Sequence, residues 1–234
     1  MNNMKQSDSF SLITPTQKRW GTVYLLLNLL LFPTLLPFCL ELILPNSNAA
    51  VKNFLYFSIS FLLVLGIFRN FLWESAKQLG NRPISLFVTV LFGLSAYFLL
   101  GYQVAALISW FRPDFSNVND NSIQILAKQN FPVMAVGTVL LVPITEECLY
   151  RGLVFGGLFQ KSPVLAYLIS TVLFSAIHIL GYIGSYDAPT LLICMLQYLP
   201  AGICLGWAYQ KSGNIFAPIL IHAIINAFGI YSVR

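Results

Sequence analysis

Seven apolar runs alternate with short polar breaks along this chain. They cover residues 20–44, 52–72, 84–111, 131–159, 163–183, 189–209 and 214–232. Each is about 20 residues or longer, the length a helix needs to cross a bilayer's hydrocarbon at 1.5 Å per residue. Turn-forming clusters separate them: PNSN at 45–48, NRP at 81–83, KSP at 161–163 and KSGN at 211–214. The longest polar stretch, RPDFSNVNDNSIQILAKQN at 112–130, reads as a plain loop. Its Ile123 and Leu126, with Phe131 beyond, would meet a bilayer surface if the segment lay flat. The pattern predicts an all-α polytopic membrane protein of about seven transmembrane helices, within a range of six to eight. It is a single membrane domain over 1–234, with N-terminal helices in 20–111 and a second-half core in 131–230.

Composition strengthens that picture. Hydrophobic residues make up 57% of the chain and charged residues 9%, against about 25% charged in an average soluble domain. No soluble domain is left over. The net charge of +5 is spread over the loops, which argues for membrane topology and against a nucleic-acid partner. With a cytoplasmic N-terminus, the inside carries Lys5, Lys18, Arg19, Arg69, Lys77, Arg82, Lys161 and Lys211. Lys52, Arg112, Lys128 and Arg234 fall outside. That asymmetry predicts a multi-pass protein of the cell membrane with its N-terminus in and its C-terminus out. Trp20, Trp73 and Trp110 sit at span ends, as interfacial anchors do.

The polar N-terminus ends in Lys18-Arg19, and the run after it is longer than a signal-peptide core, so an uncleaved first span is expected. Cys39, Cys148, Cys194 and Cys204 lie in apolar runs with no CxxC spacing, as isolated core thiols do. Cys148 stands beside two glutamates but has no cysteine-protease signature around it. Gly152-x-x-x-Gly156 and Gly202-x-x-x-Gly206 read as close helix contacts.

A few ionisable groups remain at membrane depth. Glu41 belongs to the proline-broken first run and is placed near the interface. The others are Glu146, Glu147 and Arg151 in the fourth run, His178 in the fifth and His222 in the seventh; these are the chain's two histidines. Such residues cost from about 3 kcal/mol upward at the bilayer centre, which makes them functional-site candidates. Glu147 and Arg151 are four apart and share a helix face, with the glutamate N-terminal, the favourable order for a pair. Glu146 is rotated by roughly 100°, which leaves it free to face another helix. Pro143, one turn earlier, removes a backbone hydrogen bond and opens the helix there. Phe174 shares a face with His178, and His222 shares one with Asn226. If the three helices bundle, Glu146, His178, His222 and Asn226 converge in a polar pocket. A glutamate and a histidine can hold and deprotonate water, while a second histidine and an amide can donate to an oxyanion. Those are the parts for acyl hydrolysis without a covalent nucleophile.

Three motifs in order, Glu146-Glu147-x-x-x-Arg151, Phe174-x-x-x-His178 and His222-x-x-x-Asn226, resemble the CPBP (Abi) family of CAAX-processing and bacteriocin-processing membrane proteases. The resemblance covers roughly residues 131–230. It implies an all-helical intramembrane glutamate-type endopeptidase without a cofactor. In it Glu146, assisted by His178, would activate water, and His222 with Asn226 would stabilise the oxyanion. Glu147, Arg151 and Phe174 would support the site. Family relatives imply as substrate a membrane-associated peptide or protein, in peptide maturation or bacteriocin self-immunity. They also imply a sensor-kinase or peptide-export system as partner. Prenylated CAAX substrates belong mainly to eukaryotes and are not expected here.

Three alternatives stand beside that reading. Glu146, His178 and His222 would make a His₂Glu zinc set with an open fourth position, although HExxH spacing is absent. A non-catalytic immunity or sensor-kinase partner would use the same helices for binding. A proton-coupled transporter would use the buried Glu and His as a relay, but no inverted repeat is visible.

Overall fold

The computed structural model describes residues 12–232, so Lys5 and Arg234 of the charge balance lie outside the described residues. All seven apolar runs are helical. The first forms α1 (Pro15–Leu30) and α2 (Phe32–Ile43), and the next two form α3 (Ala49–Lys77) and α4 (Pro83–Phe111). After α5 (Val118–Gln129) come α6 (Phe131–Phe159), α7 (Pro163–Leu180), α8 (Ala188–Ser212) and α9 (Phe216–Tyr231). No strand occurs among the described residues, apart from one isolated bridge between Ile183 and Tyr186.

Five helices, α3, α4, α6, α7 and α8, are long and apolar enough to cross a membrane, and α1 with α2 makes six if counted as one bent span. Two runs therefore differ from a simple crossing. The first bends by 72° between Leu30 and Phe32; Pro33, just beyond, has no N–H for the carbonyl a turn before it. The seventh yields a helix of 16 residues, about 24 Å long and short of a full hydrocarbon thickness.

The loop expected over 112–130 is corrected: most of it is α5. Asn117 caps this helix, its Oδ1 accepting from the backbone N–H groups of Asn119 (3.0 Å) and Asp120 (3.3 Å). That satisfies donors a helix start would otherwise leave unpaired. Ile123, Leu126 and Phe131 do not form a bilayer-surface stripe. They pack against a small cluster around Ala50, Ala127, Met134 and Ile230.

The breakers act as caps. Ser162 accepts from Leu165 N–H at 3.3 Å to start α7, and Asp187 accepts from Thr190 N–H at 2.9 Å to start α8. Gly213 ends α8 at φ +63°, a left-handed conformation that suits glycine. Asn214 then ties this turn to α3 through the Ser75 carbonyl at 2.8 Å.

α6 is the central helix: α3, α7 and α9 pack around it, and α1 touches its second half. Half of its apolar window is buried, against 11% for the lipid-exposed α4. Both small-residue motifs are close contacts. A Cβ on Gly202 would lie 2.5 Å from Thr171 Cγ2, and one on Gly152 would lie 3.0 Å from Phe71. Trp20, Trp73 and Trp110 are exposed. The four cysteines are unpaired, and Cys148 is fully buried.

Candidate active site

Two π-helical segments flank the glutamates on α6, Gly137–Leu141 and Cys148–Phe155. Pro143 explains how the first is held. The π register runs from N–H(i) to the carbonyl of i−5, as Val142 N–H to Gly137 does. The next donor in that register would be residue 143, aimed at Thr138, and proline has no N–H. Asn226 of α9 supplies it instead, its Nδ2 donating to the Thr138 carbonyl at 2.8 Å. The helix opening expected at Pro143 is thus closed by a side chain 88 positions away.

Glu147 is fully buried and paired twice. Its Oε1 accepts from Arg151 Nη1 at 3.0 Å, the pair expected from the spacing, and from His222 Nδ1 at 2.8 Å. Arg151, equally buried, also donates from Nη2 to the Gly202 carbonyl at 3.2 Å and lies 4.2 Å over the Phe174 ring. The missing side chain at Gly202 lets α8 pack closely on Thr171 of α7. Phe174 meets Tyr150, His178 and His222 edge-on. This assembly joins α6, α7, α8 and α9 beneath the site.

Glu146 takes no part in it. Its carboxylate lines a cavity of about 900 Å³, and its Oε2 is buried without a hydrogen-bond partner. The same cavity is lined by Phe174, His178, His222 and Asn226. Those residues of three separate helices are therefore brought together, while Glu147 and Arg151 lie behind the wall. His178 Nδ1 meets the Phe174 carbonyl at 2.8 Å. A carbonyl only accepts, so Nδ1 carries the proton and Nε2 keeps a lone pair. By the same logic His222 donates from Nδ1 to Glu147, and its Nε2 is the nitrogen left over.

The cavity is also lined by residues not singled out from sequence. Tyr198 of α8 stacks on His178, with ring centroids 4.0 Å apart and planes 24° apart. Its hydroxyl meets Asp120 Oδ1 at 2.6 Å and accepts from Asn119 Nδ2 at 3.0 Å. Asp120 itself is exposed and lines the cavity. The dense Asn/Asp run at 117–121 was the available signal; nothing local in the sequence marks Tyr198. Glu41 is capped by Lys52 Nζ at 2.6 Å near the cavity's rim.

Among the described residues, no three His, Cys, Asp or Glu side chains gather at a spacing that holds a metal ion. The set Glu146, His178 and His222 is not assembled as ligands, and no step is derived through a metal.

Residues 128–228 match the family model described as type II CAAX prenyl endopeptidase Rce1-like. Two curated proteins are similar in sequence. YdiL of Bacillus subtilis (strain 168), described provisionally as a membrane peptidase, is 27% identical over 170 residues, 71% of this chain and 64% of that one. The UPF0177 protein YxdF of Lactococcus lactis subsp. lactis (strain IL1403) is 33% identical over 90 residues, 38% of this chain and 44% of that one. The chain thus spans less than two thirds of the length of either relative. No solved structure gave a significant match.

Proposed function

We propose that this chain, whose residues 128–228 match a family model described as type II CAAX prenyl endopeptidase Rce1-like, is an intramembrane endopeptidase of the CPBP (Abi) kind. It hydrolyses a peptide bond in a membrane-associated peptide or protein with a glutamate-activated water. One observation carries the reading: of two adjacent glutamates, Glu147 lies off the cavity with its Oε1 held by Arg151 and His222, while Glu146 lines the cavity and its Oε2 has no hydrogen-bond partner. A membrane protein has little reason to keep a bare carboxylate there unless water or substrate meets it.

In this mechanism Glu146 takes a proton from a water held also by the Nε2 lone pair of His178. The water oxygen adds to the scissile carbonyl carbon, and the carbonyl oxygen becomes an oxyanion. His222 meets that charge from Nε2 when the ring carries its second proton, with Nδ1 held on Glu147. Asn226 has one amide hydrogen on Thr138 and a second to give. As the intermediate collapses, the C–N bond breaks and Glu146 returns its proton to the leaving amine. The low-dielectric surroundings strengthen each of these interactions.

Peptide maturation and bacteriocin self-immunity are the uses proposed for this activity. The orientation proposed is N-terminus in the cytoplasm. The test is a peptidomic comparison in the source cell of gene deletion, wild-type complementation and an equally expressed Glu146→Gln. Products that vanish on deletion and return only with wild type support the peptidase. If Glu146→Gln restores both products and phenotype, the protein acts by binding, as an immunity or sensor-kinase partner would.

A further inference from the structure

The polar segment between α4 and α6 finds no use in the hydrolytic mechanism, yet it reaches the cavity. Asn117 Nδ2 donates to Gln197 Oε1 at 2.8 Å, and Asn119 and Asp120 hold the Tyr198 hydroxyl. A phenol has one proton to give. Asp120 Oδ1 at 2.6 Å receives it, since a carboxylate is the stronger acceptor and Asn117 Oδ1 is farther at 3.1 Å and already caps α5. Asn119 Nδ2 donates back to the Tyr198 hydroxyl oxygen, so the hydroxyl is satisfied both as donor and as acceptor.

The consequence falls on His178. Its Nδ1–H to the Phe174 carbonyl fixes one edge of the ring within α7, but a single hydrogen bond leaves the ring free to pivot about it. Tyr198, stacked at 4.0 Å and 24°, closes one face, and Phe174 meets the ring at 62° with centroids 5.0 Å apart. We propose that Tyr198, anchored by Asp120 and Asn119 of α5, is a positioning residue that sets the plane of His178 and so aims its Nε2 into the cavity. α5 is then the support of the site rather than a connector. As a contribution to hydrolysis this rests on the peptidase reading above; as a statement about His178 it stands alone.

The chain's two histidines make the test direct. Full-length protein labelled with ¹³C,¹⁵N-histidine in detergent micelles gives two ring systems, assigned by His178→Gln. Ring protons of His178 that lie over Tyr198 are shifted upfield by its ring current. In Tyr198→Leu they move downfield while those of His222 stay, and in Tyr198→Phe the upfield shift is kept but the lines broaden. Asp120→Asn, which leaves an acceptor in place, behaves as wild type or as Tyr198→Phe. Unmoved His178 signals in a folded Tyr198→Leu overturn the proposal. Should that variant not fold, sharp wild-type lines in Tyr198→Phe overturn it instead. On a synthetic peptide spanning the cleavage junction found by the peptidomic comparison, Tyr198→Leu lowers kcat by about 100-fold, the typical effect of misplacing a catalytic group. KM stays within about twofold. Equal kcat for wild type and Tyr198→Leu removes the catalytic role even if the ring shift is seen. Absence of any cleavage product in the comparison defeats the peptidase reading and leaves the ring measurement to decide the placement of His178.

Discussion

Glu147 and His222 share a 2.8 Å hydrogen bond across 75 positions of sequence, and the same carboxylate oxygen holds Arg151 at 3.0 Å. The neighbouring Glu146 shares none of this. The two glutamates should therefore respond oppositely to the same change. Glu147→Gln strands a fully buried guanidinium and destabilises the protein by about 3–5 kcal/mol. Glu146→Gln removes an unpaired buried charge and leaves stability unchanged or higher. Melting in detergent checks this, and equal losses for the two variants would contradict the division of labour.

Arginine at 151 is predicted to be irreplaceable by lysine. Its guanidinium reaches Glu147 and the Gly202 carbonyl from two different nitrogens and stacks on Phe174, a geometry an ammonium cannot reproduce. Arg151→Lys should lower the melting temperature markedly despite keeping the charge. A near-wild-type melt would show that charge alone is required.

The bond from Asn226 to Thr138 predicts a double-mutant coupling. Asn226→Ala leaves a carbonyl unpaired, at about 1–3 kcal/mol. Pro143→Ala restores a backbone N–H that can fill the same acceptor. The double variant should then be more stable than Asn226→Ala alone. Additive losses would mean that Pro143 and Asn226 do not share that carbonyl.

Close approach of α8 to α7 predicts that Gly202→Ala costs about 1–3 kcal/mol, because its Cβ would meet Thr171 Cγ2 at 2.5 Å. Thr171→Ser removes that methyl group and should recover part of the loss. No recovery would place the strain elsewhere.

Cys148, at full burial, should resist thiol reagents in the folded protein. Cys148→Ala should keep at least half of the activity, as judged by the same peptide products. Loss of all products would make Cys148 a candidate nucleophile despite the lack of a cysteine-protease signature around it.

How much of this was legible beforehand differs from residue to residue. Arg151 beside Glu147 could be read from a four-residue spacing, since one helical turn places such side chains together whatever the rest of the protein does. The first run's bend could be anticipated from Pro33 and Pro37, though not its angle of 72°. The segment 112–130 reads as a loop because its apolar positions are few and its polar ones many. Its helix rests on an Asn117 cap and on contacts with α3, α6 and α9 that composition does not display.

The sequence by itself determined that the chain is helical, that most of it lies in lipid, and which few polar side chains are buried there. Those properties follow from local hydrophobicity and helical period, which need no knowledge of neighbours. Only the tertiary structure decided that His222 binds Glu147 rather than Glu146, that Asn226 repairs the π segment at Pro143, and that Tyr198 stacks on His178. Each of these joins groups on different helices. A hydrogen bond or ring stack works over a few ångströms and within tens of degrees. Which partners come within that range is set by how the helices pack, and spacing along one helix carries no record of it.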